Sequence, residues 1–182
     1  MDFVCSAEKI PSPGETVISG GEYFFSPGGK GANCAVSAAR LGADVVFCTR
    51  VGDDAYGKEL CEAYKKENID CRFVYFDTEE KTGLAQIFRE ANGQNRITVF
   101  PGANSKLSLE NVEEAFTCYP DALLLQCEIE PEIVMFAIRM AHRQQIPVFF
   151  DMAPVRDDLD MERAGKLDLS AIINNPFIKE KK

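Results

Sequence analysis

The sequence predicts an α/β domain: a mainly parallel sheet flanked by helices, with a small antiparallel sheet projecting from it. Three observations predict it. Compact apolar runs rich in β-branched and aromatic residues, at 45–48, 73–76, 122–126 and 148–150, alternate with helix-like stretches at 31–41, 56–67, 109–116 and 131–143. That alternation is the mark of crossover units on a parallel sheet. A glycine-rich turn, Gly28-Gly29-Lys30-Gly31, opens the first of these helices. Finally, two β-prone pieces, 84–88 and 96–100, face each other across Asn92-Gly93, and Asn-Gly is a strong hairpin signal.

Taken in order, 15–26 carries Gly20-Gly21 between the β-prone pieces 16–19 and 22–25, and with the 83–100 hairpin it makes up the projecting sheet. Such an appendage has too little interior to stand alone, so it covers a pocket or pairs with another subunit. The helix from Ala55 has Asp53 or Asp54 to cap it, and Glu59 near its positive end. The helix from Leu109 follows Ser108, a good N-cap, with Glu110, Glu113 and Glu114 in its first turns. Pro131 suits the first turn of the last helix, where its missing N–H costs nothing. We read the 182 residues as one α/β unit, with no repeat and no low-complexity segment.

Composition narrows the function. With 46% hydrophobic residues the chain can build a full core, and 27% charged residues exclude wholesale disorder. A net charge of −9 and a pI near 4.7 argue against a nucleic-acid or anionic-membrane surface, which needs a positive face. No apolar run approaches the roughly 20 residues that span a bilayer, and the N-terminus lacks a signal-peptide pattern. A cytoplasmic location is expected. The seven cysteines, with no C-x-x-C pair, read as reduced and mostly buried small hydrophobes. The one histidine, His142, excludes a multi-histidine zinc site and falls at a helix end, where a surface position is expected.

The chemistry concentrates at residues 26–42. Gly28 and Gly29 let backbone approach a ligand without a Cβ in the way. The helix start beyond them offers unpaired N–H groups to oxygens. Lys30 and Asn33 add donors, and Asn33 can accept as well, a set suited to a polyhydroxylated ligand. A P-loop would need Ser or Thr after the lysine, where Gly31 stands. A dinucleotide fingerprint would need a glycine where Cys34 stands. By itself the loop is equally a glycine turn and helix cap with no ligand.

It does not stand by itself. Pro13-Gly14-Glu15-Thr16, Gly28-Gly29-Lys30-Gly31-Ala32-Asn33 and Ala38-Ala39-Arg40-Leu41-Gly42-Ala43 are followed in order by further motifs. These are Val51-Gly52-Asp53-Asp54-Ala55-Tyr56-Gly57, Thr82-Gly83, Gly93-Gln94-Asn95-Arg96-Ile97, Pro101-Gly102-Ala103-Asn104, Leu125-Gln126-Cys127-Glu128 and Ala153-Pro154. In this ordered set the chain resembles the ribokinase-like (PfkB-type) carbohydrate kinases, to about Ile173. The resemblance implies a three-layer α/β fold in which the small sheet is a lid over the sugar and also the dimer contact. It implies that Asp2 and Glu128 bind sugar hydroxyls, and that Gly29, Lys30, Gly31, Ala32 and Asn33 lie against the sugar. Glu128 is also placed where a strand ends, as ligands in α/β sheets are. Asp53 and Asp54 are explained by capping and Gln94-Asn95 by the hairpin turn.

The resemblance further implies phosphorylation of a sugar hydroxyl by ATP, D-ribose at its 5-hydroxyl being the expected case, with Mg on the nucleotide phosphates and a monovalent cation such as K. The family's Gly-Ala-Gly-Asp segment, whose aspartate is the general base, is missing from this sequence. The family's first strand would precede Asp2, and its nucleotide-binding strands would follow Lys182. The expectation is therefore the N-terminal, sugar-binding part of a kinase, shortened at both ends and inactive alone. The alternative is a non-catalytic sugar-binding or dimerising module.

Overall fold

A computed structural model of the chain describes residues 1–154, 156–159 and 171–173. Its helix starts follow the capping chemistry of the sequence. The Asp54 side chain accepts from the Gly57 N–H at 2.8 Å and begins α2 (Ala55–Lys66). Ser108 and Asn111 form a reciprocal capping box at α3 (Leu109–Ala115), and Pro131 is the first residue of α4 (Pro131–Arg143). The remaining helix, α1 (Lys30–Arg40), begins after Gly29, whose φ of 101° is open to glycine alone at little strain.

Two parallel sheets make the core. In one, β3 (Thr49–Gly52) pairs with β4 (Val74–Asp77). In the other, β7 (Leu123–Leu125) pairs with β8 (Val148–Asp151), which pairs with β9 (Ala171–Ile173). The run at 45–48 precedes its strand rather than forming it: Val46 makes a single bridge to Asp70 and the ladder begins at Thr49. Its polar members are accommodated because the Arg50 guanidinium bonds to the Asp77 carboxylate at 2.8 Å. One apolar cluster lies between α3, α4 and the β7–β8 sheet, where Val134, Ile138 and Phe150 are fully buried. Each such side chain contributes about 1.5–3 kcal/mol. A second cluster, with Ala32, Ala35, Val51, Leu60 and Val74, joins α1 and α2 to β3 and β4 and takes in Met1.

The projecting sheet has the order β2-β1-β5-β6. The hairpin of β5 (Leu84–Glu90) and β6 (Asn95–Phe100) is antiparallel across the Asn92-Gly93 turn. So is the pair of β1 (Asp2–Ala7) and β2 (Tyr23–Ser26). The β1–β5 seam is parallel, so the sheet is mixed rather than wholly antiparallel. Residues 16–19 form no strand, because β1 takes the partner position beside β2. Stacking of Phe3 on Phe25 (4.6 Å between ring centres) and of Phe25 on Tyr56 (5.1 Å) fastens this sheet to the start of α2. The Asp54 carboxylate also accepts from the Thr82 N–H and hydroxyl, at 2.8 and 2.7 Å, which ties the entry to β5 onto the end of β3. Burial raises the Asp54 pKa, but the bonds from Thr82 and Gly57 outweigh it and leave the carboxyl below its usual range.

His142 is exposed at the end of α4, as expected. All seven cysteines are free thiols, though only Cys61 and Cys127 are fully buried. Among the described residues no helix is long and apolar enough to cross a membrane.

Candidate functional site

The site forms where α1, the end of β7 and the start of β1 meet. Gly29 and the first turn of α1 have no side-chain cap of their own and no acidic residue near the helix start. The missing cap comes from across the fold. Glu128, three residues past β7, accepts from the Lys30 N–H at 2.7 Å through one carboxylate oxygen. Its other oxygen lies 3.6 Å from the Lys30 ammonium. A carboxylate at a helix N-terminus is favoured by the helix dipole as well as by this bond. The amides of Gly31 and Ala32, next along the helix, have no intrahelical acceptor and remain available to oxygens.

Asp2 enters from the lid sheet. Its register opposite Ser26 in the β1–β2 pair carries its carboxylate over Gly28, two residues further on. A Cβ at Gly28 would overlap all three atoms of that carboxyl group, so glycine is what permits the approach. Burial raises the Asp2 pKa; the N-terminal ammonium opposes this, the Glu128 charge adds to it and Lys30 opposes it. The Met1 ammonium, which donates to the Gly83 carbonyl at 3.0 Å, has its pKa lowered by burial despite Asp2, Glu128 and Asp54 nearby. Two carboxylates, the ammonium groups of Lys30 and Met1, and a helix start therefore share a partly dry corner. Such a corner binds hydroxyl groups by accepting their protons and donating backbone N–H to their oxygens.

The structure brings Asp2, Gly29, Lys30, Gly31, Ala32 and Glu128 together. Asn33 is exposed in an adjoining cleft that Gly28 and Ala32 also line, in a row with Ser37 and Arg40. Those three positions, spaced four and three apart, form the polar stripe of α1. One further residue adjoins this corner. Gln126 reaches α1, its amide oxygen 3.3 Å from where a Cβ on Gly31 would sit. Asp151, at the end of β8, acts instead on Cys34, one turn into α1. The Cys34 thiol is pushed up by burial and by the Asp151 charge, against a hydrogen bond with Gln126. Among the described residues no group of three or more His, Cys, Asp or Glu side chains is placed to hold a metal ion.

Known proteins share this sequence pattern and fold. The family model described as pfkB family carbohydrate kinase matches residues 1–168. Mouse ribokinase is 37% identical over 161 residues, covering 87% of this chain and 50% of the mouse protein. The solved structure of Thermotoga maritima ribokinase superposes with a TM-score of 0.81 at 35% identity, over 94% of this chain and 55% of that one. Arabidopsis thaliana ribokinase, solved with ribose and ATP, gives a TM-score of 0.69 at 31% identity, over 84% of this chain and 50% of that one. The chain spans about half the length of the relatives it matches. With a family model matching from Met1 through the glycine–lysine loop and Glu128 to residue 168, the chain belongs to the pfkB family of carbohydrate kinases.

Proposed function

We propose that this chain is the sugar-binding portion of an ATP-dependent carbohydrate kinase, and that the sugar is D-ribose, phosphorylated at its 5-hydroxyl. The observation that carries the reading is the Asp2–Lys30–Glu128 corner at the start of α1, two carboxylates and a helix N-terminus converging from three separate elements. Asp2 and Glu128 accept hydroxyl protons from the sugar, and the Gly31 and Ala32 amides donate to its oxygens. Asn33, in the adjoining cleft with Gly28 and Ala32, adds its side-chain amide to the same ligand. ATP and Mg, with a monovalent cation such as K, belong to the whole enzyme; they supply the phosphoryl group and neutralise its charge. The general base of that enzyme has no counterpart in this sequence, so this chain alone binds sugar without turnover.

Calorimetric titration with D-ribose tests the reading, run beside an ADP-release assay. Saturable binding with no ADP release is expected. Affinity should also fall on acidification sooner than for an ordinary aspartate. The raised Asp2 pKa means that its ionised, accepting form is lost as the pH drops through a value above 3.8. Absence of binding at pH 7, or multiple turnovers, would sink the proposal.

A second reading, a dimerising module, is favoured by the lid. β6 is exposed along its whole length, and Ile97, Val99 and Phe100 are 53, 57 and 52% accessible. Strand pairing sets Ile97 beside the half-buried Ile87, with Val99 two residues along on the same face, so an apolar strip is left open at the β6 edge. A homodimer through the lid covers it. In analytical ultracentrifugation the native chain should sediment as a dimer and Ile97→Lys/Val99→Lys as a monomer; a monomeric native chain would refute this.

A further inference from the structure

Phe25 is 42% exposed, yet its ring offers no open face. Phe3 of β1 stacks on it with the planes 15° apart, and Tyr56 of α2 with the planes 25° apart. β2 is an edge strand with β1 on one side only, so Phe3 covers the side toward the sheet and Tyr56 comes from outside it. Tyr23 extends the row, its ring edge-on to Phe3 at 6.4 Å. A platform for a stacked ligand needs a free ring face. These rings use theirs on one another, so they act as a coupling between β1, β2 and α2 and not as a docking surface.

The helical end of this coupling is rigid. A Cβ at Gly57 would overlap the Gly52 carbonyl oxygen, so the first turn of α2 sits directly on the end of β3. Asp54 caps the same turn and holds Thr82 at the root of β5. One helical turn therefore grips the lid at two points, β5 through Asp54 and β2 through Tyr56. The other end of the coupling lies at the site. Successive strand residues point to opposite faces. Phe3 accordingly takes the stacked face, and its neighbour Asp2 takes the face over Gly28. Phe25 and Ser26 divide in the same way opposite them.

We propose that the first turn of α2 is the seat of the lid, and that Tyr56 is a positioning residue that holds β1 and β2 so that the Asp2 carboxylate stays over the start of α1. A four-stranded sheet whose β6 is exposed along its length has little interior of its own, so its placement depends on such contacts. Without the Tyr56 ring the β1–β2 pair is displaced for part of the time. The apparent dissociation constant then rises as the inverse of the fraction that remains in place. The effect on affinity rests on the sugar-binding role given above to Asp2; the effect on the lid does not.

The test compares the native chain with Tyr56→Ala and Tyr56→Phe, by calorimetric titration with D-ribose and by amide hydrogen exchange without sugar. Tyr56→Ala should raise the dissociation constant about 3- to 10-fold, the range for losing one aromatic stack. It should also speed exchange in β2 (Tyr23–Ser26) by a similar factor, while Leu60–Tyr64 of α2 stay as protected as in the native chain. Tyr56→Phe keeps the ring and should restore both. Unchanged exchange in β2 of Tyr56→Ala would overturn the proposal, as would a loss that Tyr56→Phe does not restore. Faster exchange throughout α2 would make Tyr56 a plain structural residue of the helix, and faster exchange in β2 with unchanged ribose affinity would refute its positioning role. If the native chain binds no ribose, the sugar reading fails, and exchange in β2 alone decides whether α2 seats the lid.

Discussion

Glu128→Ala is expected to raise the dissociation constant for D-ribose by about 10- to 100-fold. Loss of a hydrogen bond to a charged group is worth about 1.5–3 kcal/mol, and each 1.4 kcal/mol is tenfold in affinity. The same change removes the acceptor for the Lys30 N–H, which has no substitute in a helix start without a side-chain cap. Loss of an N-cap costs about 1 kcal/mol, and at this half-buried position water can replace part of the bond, so a small drop in thermal stability is expected with the loss of binding. Glu128→Gln separates the two roles. An amide oxygen still accepts from Lys30 but carries no charge toward the ammonium 3.6 Å away or toward a sugar hydroxyl. Its stability should stay within about 0.5 kcal/mol of native, as for a substitution that keeps the neutral bond, while ribose affinity falls. Melting temperatures and calorimetric titrations on the two variants check this. Equal ribose affinity in all three proteins would remove Glu128 from the site and leave it as a helix cap alone.

Much of this arrangement can be read in the sequence, for local reasons. Asp54, Ser108 and Pro131 act on N–H groups within their own helix turns, so the starts of α2, α3 and α4 are visible in a few residues each. The Asn92-Gly93 turn is equally local. What the sequence leaves ambiguous depends on partners far along the chain. The strand near residue 48 is set by the pairing of Thr49 with Val74 and of Gly52 with Asp77, not by the apolar content of 45–48. Residues 16–19 have β propensity and no strand beside them, while β1, close to the terminus, finds β5 some eighty residues away. Asn33 illustrates a different difficulty. Its place three residues after Lys30 suggests a common face, yet Glu128 holds the Lys30 end of the helix while Asn33, Ser37 and Arg40 turn toward solvent. The link from sequence to geometry is direct where one motif residue meets a specific partner, as Lys30 meets Glu128.

Gly28→Ala is expected to reduce ribose affinity about tenfold or more, with a much smaller effect on stability. Gly28 has no left-handed backbone angle, so alanine meets no torsional penalty there; what it meets is the carboxyl group of Asp2. The pairing of Asp2 with Ser26 fixes the backbone on that side, so relief comes through rotation of the short Asp2 side chain away from its place over the loop. Gly29→Ala offers the opposite case. The nearest atom to its added Cβ is a Glu128 oxygen 3.9 Å away, which is ordinary contact, but φ is +101°. Holding a side chain in such a conformation costs of order 1–3 kcal/mol, so Gly29→Ala should lower stability at the helix start directly. A double-mutant cycle isolates the mechanism at Gly28, because energies of neighbouring residues that act through one another do not add. In an Asp2→Ala background the carboxyl group is gone, and Gly28→Ala should then change ribose affinity by less than twofold. If the glycine substitution costs as much without Asp2 as with it, Gly28 serves the ligand or the loop directly, and close approach of the aspartate is not its purpose.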